Sequence, residues 1–66
     1  MNLKRIRESK GLTQRELAER SGVSIRLIQF YEQRYRDINK AEGMTLYKLA
    51  KALECQMEDL LQIEQD

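Results

Sequence analysis

Histidine is absent from the 66 residues, and cysteine occurs once, as Cys55. The first absence removes the commonest general base, and together they leave no ligand set for a zinc ion. A single cysteine cannot close an internal disulfide. Cys55 is expected to fill a small apolar gap before the last helix, because no cation clearly neighbours it to make the thiol reactive. Proline is missing and glycine occurs three times, which favours helices joined by short turns. No long apolar run is present, so neither a membrane span nor a signal peptide is expected, and the expected compartment is the cytoplasm. There is no glycine-rich phosphate loop and no carboxylate pair in a pocket; Glu58 and Asp59 suit the positive end of a helix. No enzyme, cofactor or metal is therefore expected.

What is present is a short chain, 41% hydrophobic and 35% charged. It makes one domain, residues 1–66, near the lower limit for folding without a staple. The net charge is only +1, but its distribution is uneven. Residues 1–36 hold nine Lys or Arg against four Asp or Glu, and residues 37–66 hold three against seven. Such asymmetry can orient a protein on a polyanion, or it can be ordinary surface charge.

The positive half contains the stretch around which the chain is organised, residues 13–32. Thr13 with Glu16 three positions on forms a capping box, and Leu12 before it can staple onto Leu17. Ala18 leaves room for a neighbouring backbone. Gly22 supplies the left-handed stop, Val23 plugs the corner, and Ser24 caps the next helix. At 100° per residue, Ser24, Ile28, Tyr31 and Glu32 share the inward side of that helix. Arg26, Gln29, Phe30 and Gln33 then fall on the opposite face. A buried helix would not carry that polar stripe, and a merely solvated one would seldom include phenylalanine. Two amides, a guanidinium and a flat ring suit base edges in a DNA major groove.

On the flanks, Asn2 is a candidate cap for a first helix running to about Lys10, with Gly11 as its stop. Leu3, Ile6 and Arg7 share a side. An inward arginine needs a partner, and Glu32 is the candidate; the alternative is two exposed charges. Gln14, at a helix start, can donate to a phosphate or be an ordinary surface residue. Asn39-Lys40-Ala41-Glu42 forms a second cap-like box, so the fourth helix is placed there, with Thr45 as the rival start. Leu46, Leu49, Ala50 and Leu53 repeat at helical spacing, as core. Met57, Leu60, Leu61 and Ile63 belong to a fifth helix, where the adjacent Leu60 and Leu61 lie about 100° apart and can serve both the core and a second subunit.

Gln14, Leu17, Ala18, Gly22, Val23 and Ile28 match the spacing of the helix-turn-helix in Cro and phage-repressor-type (XRE-like) regulators. LYKLAKAL (Leu46–Leu53) and MEDLL (Met57–Leu61) resemble that family's fourth and fifth helices, so the likeness covers nearly the whole chain. It implies a compact, all-α, five-helix lambda repressor-like domain. It also implies a structural salt bridge between Arg7 and Glu32, and a Gln14 that contacts the DNA backbone and braces the second motif helix. Ile25, Arg26 and Phe30 take base-reading positions, with Gln29 and Gln33 beside them. Gln14, Arg15, Ser24, Arg34, Arg36 and Lys40 lie towards the phosphates, although the basic loop that carries Arg34, Arg36 and Lys40 can equally be solvated. Arg26 can pair with guanine or only with phosphate; Ile25 and Phe30 can touch thymine methyls or the rim of the core. The chain departs from the family between Gln33 and Gly43, where Arg34 replaces a helix-stopping glycine, and at Glu54 and Gln56, which replace a glycine and a serine.

The function expected from this likeness is sequence-specific binding of double-stranded DNA by a small regulator, a repressor of phage, plasmid or mobile-element type. Its helix 24–33 would lie in the major groove. Useful specificity implies a homodimer on a palindromic operator, formed before or on DNA, with Leu60, Leu61 and Ile63 as its candidate contacts. The competing reading is a protein-interaction module on the same fold, such as an antitoxin-like partner.

Overall fold

The computed structural model describes residues 2–62. Among these residues four α-helices form: α1 (Asn2–Ser9), α2 (Gln14–Ser21), α3 (Ile25–Glu32) and α4 (Gly43–Leu53), with 3-10 turns at Ile38–Lys40 and Met57–Leu60. Among the described residues there is no strand. The expected fifth helix is therefore corrected to a single tight turn over these residues. The backbone groups that would extend it are taken elsewhere. The Gln62 N–H donates to Asn39 Oδ1 (2.7 Å) and the Leu61 carbonyl accepts from Asn2 Nδ2 (2.7 Å).

Local chemistry sets the first two turns of the motif. The Thr13 hydroxyl accepts from the Glu16 N–H at 3.0 Å, and the Glu16 carboxylate accepts from the Thr13 N–H at 2.9 Å. These bonds favour the charged carboxylate and hold the Glu16 pKa below its ordinary value. The stability they add is present at neutral pH and is lost as pH falls through that lowered pKa. Ser24 caps α3 by accepting from the Leu27 N–H at 3.0 Å. Gly22 closes α2 at φ 74°, with its N–H on the Ala18 carbonyl at 2.9 Å.

The other three helices end in one shared geometry. In each, a residue in the left-handed region is followed by one whose N–H reaches a carbonyl five residues back. The bonds run Leu12 to Arg7 (3.2 Å), Tyr35 to Phe30 (2.9 Å) and Cys55 to Ala50 (3.0 Å). The left-handed residue is Gly11 in the first case, but Arg34 (φ 63°) and Glu54 (φ 55°) in the others. Arg34 and Glu54 do not leave the left-handed conformation that Gly11 takes. They are strained instead, because a Cβ disfavours this region by about 1–2 kcal/mol. Glu54→Gly is expected to raise unfolding free energy by roughly 0.5–1 kcal/mol, the relief of strain outweighing the entropy glycine adds to the unfolded chain. A chemical melt that shows destabilisation would mean that Glu54 makes a compensating contact.

Two start sites differ from expectation. Asn2 does not cap α1 but lies in its first turn, its side chain spent on Leu61. Neither Asn39 nor Thr45 opens α4, which starts at Gly43 after an uncapped Glu42. Asn39 sits in the 3-10 turn, whose N-cap is Asp37, and both ends of its amide are bonded to the Gln62 backbone.

Leu3, Leu12, Leu17, Val23, Ile28, Tyr31, Ile38, Leu46, Leu49, Ala50, Leu53 and Leu60 form one core. α2 packs on α3 and α4, while the Met57–Leu60 turn closes the base against α1 and α4. Leu60 is fully buried, so it takes the core share expected of the adjacent leucines and is corrected as a candidate dimer contact, while Leu61 keeps a partly exposed side chain. Ile63 lies outside the described residues. Cys55 is half-buried against the core, and burial pushes its thiol pKa up, with Asp59 adding to the effect and Lys10 opposing it.

Candidate nucleic-acid interface

α3 has two unlike faces. Ile28 and Tyr31 are buried, and the Glu32 side chain is only 3% exposed. Opposite them, Arg26 and Gln33 are exposed and Gln29 and Phe30 half-buried, while Ile25 is half-buried at the first turn. A shallow depression beside that turn is lined by Arg15, Glu19, Ser24 and Ile25, among others. Arg15 and Ser24 are themselves exposed.

The inward face is held by a directed set of polar contacts. Arg7 Nε donates to Glu32 Oε2 at 2.8 Å and Nη2 to Glu32 Oε1 at 3.0 Å, while Nη1 donates to the Leu12 carbonyl at 2.7 Å. The bond to Glu32 is the main reason the Arg7 pKa is raised, against the opposing effect of burial. One arginine thus ties α1 to α3 and to the corner leading into α2. Gln14 joins from the start of α2, with Nε2 donating to Glu32 Oε1 at 3.0 Å. Its Oε1 accepts from Gln29 Nε2 at 3.3 Å. Gln14 is thereby half-buried rather than an open surface amide, and it connects the ion pair to the outer face of α3.

A second cluster sits at the far end of α3. The left-handed Arg34 turns the chain back so that Tyr35 meets Phe30 edge to face, with centroids 6.0 Å apart and planes at 82°. The Arg36 guanidinium lies 5.9 Å from the Phe30 ring centre, within cation–π range. Arg34, Tyr35, Arg36 and Lys40 are all exposed, Tyr35 at 76%. Tyr35 was missed in sequence, although a signal existed. In this type of helix ending the residue after the left-handed one packs on the residue five before it, so a left-handed Arg34 would have pointed to the pair. Met44 and Tyr47 on α4 are also large and exposed, and nothing in the sequence marked them.

Two short helices joined by a Gly22-Val23-Ser24 corner, the second presenting a polar and aromatic face, define a helix-turn-helix domain. A family model described as helix-turn-helix matches residues 3–60. The chain belongs to that family, the Cro/C1 or XRE-like type, which is a DNA-binding regulatory family rather than an enzymatic one. Neither the curated proteins nor the solved structures gave a match to set beside it. No helix among the described residues is long and apolar enough to cross a membrane.

Proposed function

We propose that this protein is a sequence-specific transcriptional repressor that acts in the cytoplasm on the nucleoid and binds double-stranded DNA as a homodimer with α3 in the major groove. The observation that carries this reading is the outer face of α3. Arg26, Gln29, Phe30 and Gln33 project from a helix whose other side is sealed into the core. Arg26 pairs with the two acceptors of a guanine, Gln29 and Gln33 read base edges, and Ile25 and Phe30 lie against thymine methyls. Gln14, Arg15 and Ser24 at the helix starts, with Arg34, Arg36 and Lys40 beyond α3, hold the phosphates on either side. One such helix spans few base pairs, so two copies address half-sites about one DNA turn apart. With Leu60 enclosed, the dimer contact falls to Leu61 and Ile63.

Selection of bound fragments from random duplexes tests this directly, with an enriched palindrome as the expected result. Binding should weaken steeply as salt rises, because phosphate contacts release counterions. Binding to a protein partner with no salt-sensitive duplex affinity would favour the antitoxin-like reading instead. Within the enriched site, Arg26→Ala should cost about 1–3 kcal/mol against the cognate sequence relative to random DNA. An equal loss on both DNAs would assign Arg26 to phosphate.

A further inference from the structure

α4 ends on a bent turn that its sequence does not require. Glu54 stands in the left-handed region at φ 55° and ψ 44°, with the Cys55 N–H on the Ala50 carbonyl at 3.0 Å, a conformation that strains any residue but glycine. No glycine or proline occurs in residues 44–62, so Glu54, Cys55 and Gln56 include no helix-stopping residue. The bend is kept by what lies beyond it.

Residues 57–62 are held by contacts that do not depend on belonging to the same chain. Leu60 is fully buried where the Met57–Leu60 turn meets α1 and α4. Asn2 Nδ2 donates to the Leu61 carbonyl at 2.7 Å. Asn39 takes both backbone groups of Gln62, donating to its carbonyl at 2.8 Å and accepting from its N–H at 2.7 Å. A second copy offers the same leucine and the same backbone groups. The Arg34 turn is strained in the same way, but the Phe30–Tyr35 ring pair clamps it and all of α4 lies beyond it.

From this we infer that residues 54–56 are an exchange hinge between two copies of the chain. When the hinge straightens, residues 57–62 of one copy dock on α1, α4 and Asn39 of the other, and the other's dock on the first. The exchange is reciprocal, so the pair closes with two-fold symmetry and remakes the contacts of the single chain. A short connection under strain favours this, because straightening removes the strain in both copies and lengthens both helices. Opposing it are the freedom lost when two molecules become one and the Gln56 cap, in which the Asp59 carboxylate accepts from the Gln56 N–H at 3.0 Å. The single closed chain therefore prevails when dilute, and exchange when chains fold at high concentration. Such a dimer goes beyond the one proposed above, since it needs neither DNA nor a surface contact at Leu61.

The test needs only the full chain, unfolded in urea, refolded at low and at high protein concentration, and sized by chromatography with light scattering. A dimer should form at high concentration only. It should then persist on dilution, because separation requires each docked segment to leave a core. Refolding a mixture of isotope-labelled and unlabelled chains locates Leu60. Its methyls should show contacts across the label boundary to the core of the other copy, which a side-by-side dimer does not allow because Leu60 is enclosed. Glu54→Gly relieves the bent turn and weakens a straight helix, so it should lower the dimerisation constant at least about tenfold. Glu54→Ala suits the helix and not the left-handed turn, and should dimerise at least as well as the unaltered chain. Failure of the unaltered chain to dimerise, a dimer in which Leu60 meets only its own chain, equal dimerisation by Glu54→Gly, or weakened dimerisation by Glu54→Ala overturns the inference. None of these results bears on duplex binding, which the fragment selection decides separately.

Discussion

Arg7→Ala is expected to lower the unfolding free energy by about 3–5 kcal/mol, most of what a domain this small can hold. The substitution does more than delete an attraction. It leaves the Glu32 carboxylate, 3% exposed, without its only charged partner among the described residues, and it orphans the Leu12 carbonyl that accepts from Nη1 at 2.7 Å. An uncompensated buried charge is the costly part. Arg5, two residues earlier and exposed, supplies the control, because Arg5→Ala should stay within about 0.5 kcal/mol of the starting protein. Thermal and urea melts of both variants make the comparison. Equal effects would show that Glu32 is resolvated when Arg7 is lost, and that the pair contributes little.

Leu60→Ala comes next, with an expected cost of about 2–5 kcal/mol. Leu60 is fully buried in a four-residue turn that packs on both α1 and α4, so truncation opens a cavity where the surroundings have little freedom to collapse. The loss should be the same at every protein concentration, because the cavity lies inside one chain. A deficit that shrinks as concentration rises would place Leu60 in a contact between subunits. Leu61→Ala should cost much less in the isolated chain, since that side chain is only half-buried.

The features most legible in the sequence were those determined within one or two turns of chain. Thr13 with Glu16, Ser24 before α3, and Gly11 and Gly22 as stops depend on neighbours three to five residues away, and each forms with the partner its spacing implies. The division of α3 into a sealed and an outward face was readable for Ile28, Tyr31 and Glu32, because period and composition agree there. Ser24, grouped with them as inward, is exposed: it lies outside the helix as its cap, where the helical period no longer fixes its direction. Asn2 and Asn39 were misread for the converse reason. Both have the side chain of a helix cap, but their partners lie 59 and 23 residues away. Nothing local announces such a partner. The fifth helix failed through the same contacts, since apolar spacing at Met57, Leu60 and Leu61 does not reveal that distant amides occupy the adjoining backbone.

The candidate site shows the same limit. Sequence periodicity placed Gln29 on the outer face and Gln14 at a helix start, but the hydrogen bond that joins them across 15 residues is visible only in the folded chain. Tyr35 was hidden by a rule applied too strictly. Arginine at a glycine position suggested a changed turn, whereas the 6-to-1 bond and the Phe30 contact hold Arg34 in the glycine conformation at a cost in strain.

The grip of Asn2 on the Leu61 carbonyl has a topological consequence. One side-chain nitrogen reaches a backbone carbonyl 59 positions on, at 2.7 Å, so the path from α1 to the last turn almost closes on itself. A short linker from position 62 to position 2 would complete the circle, and the chain could then be cut in an exposed loop, as between α3 and α4, with its helices keeping their places in a new order.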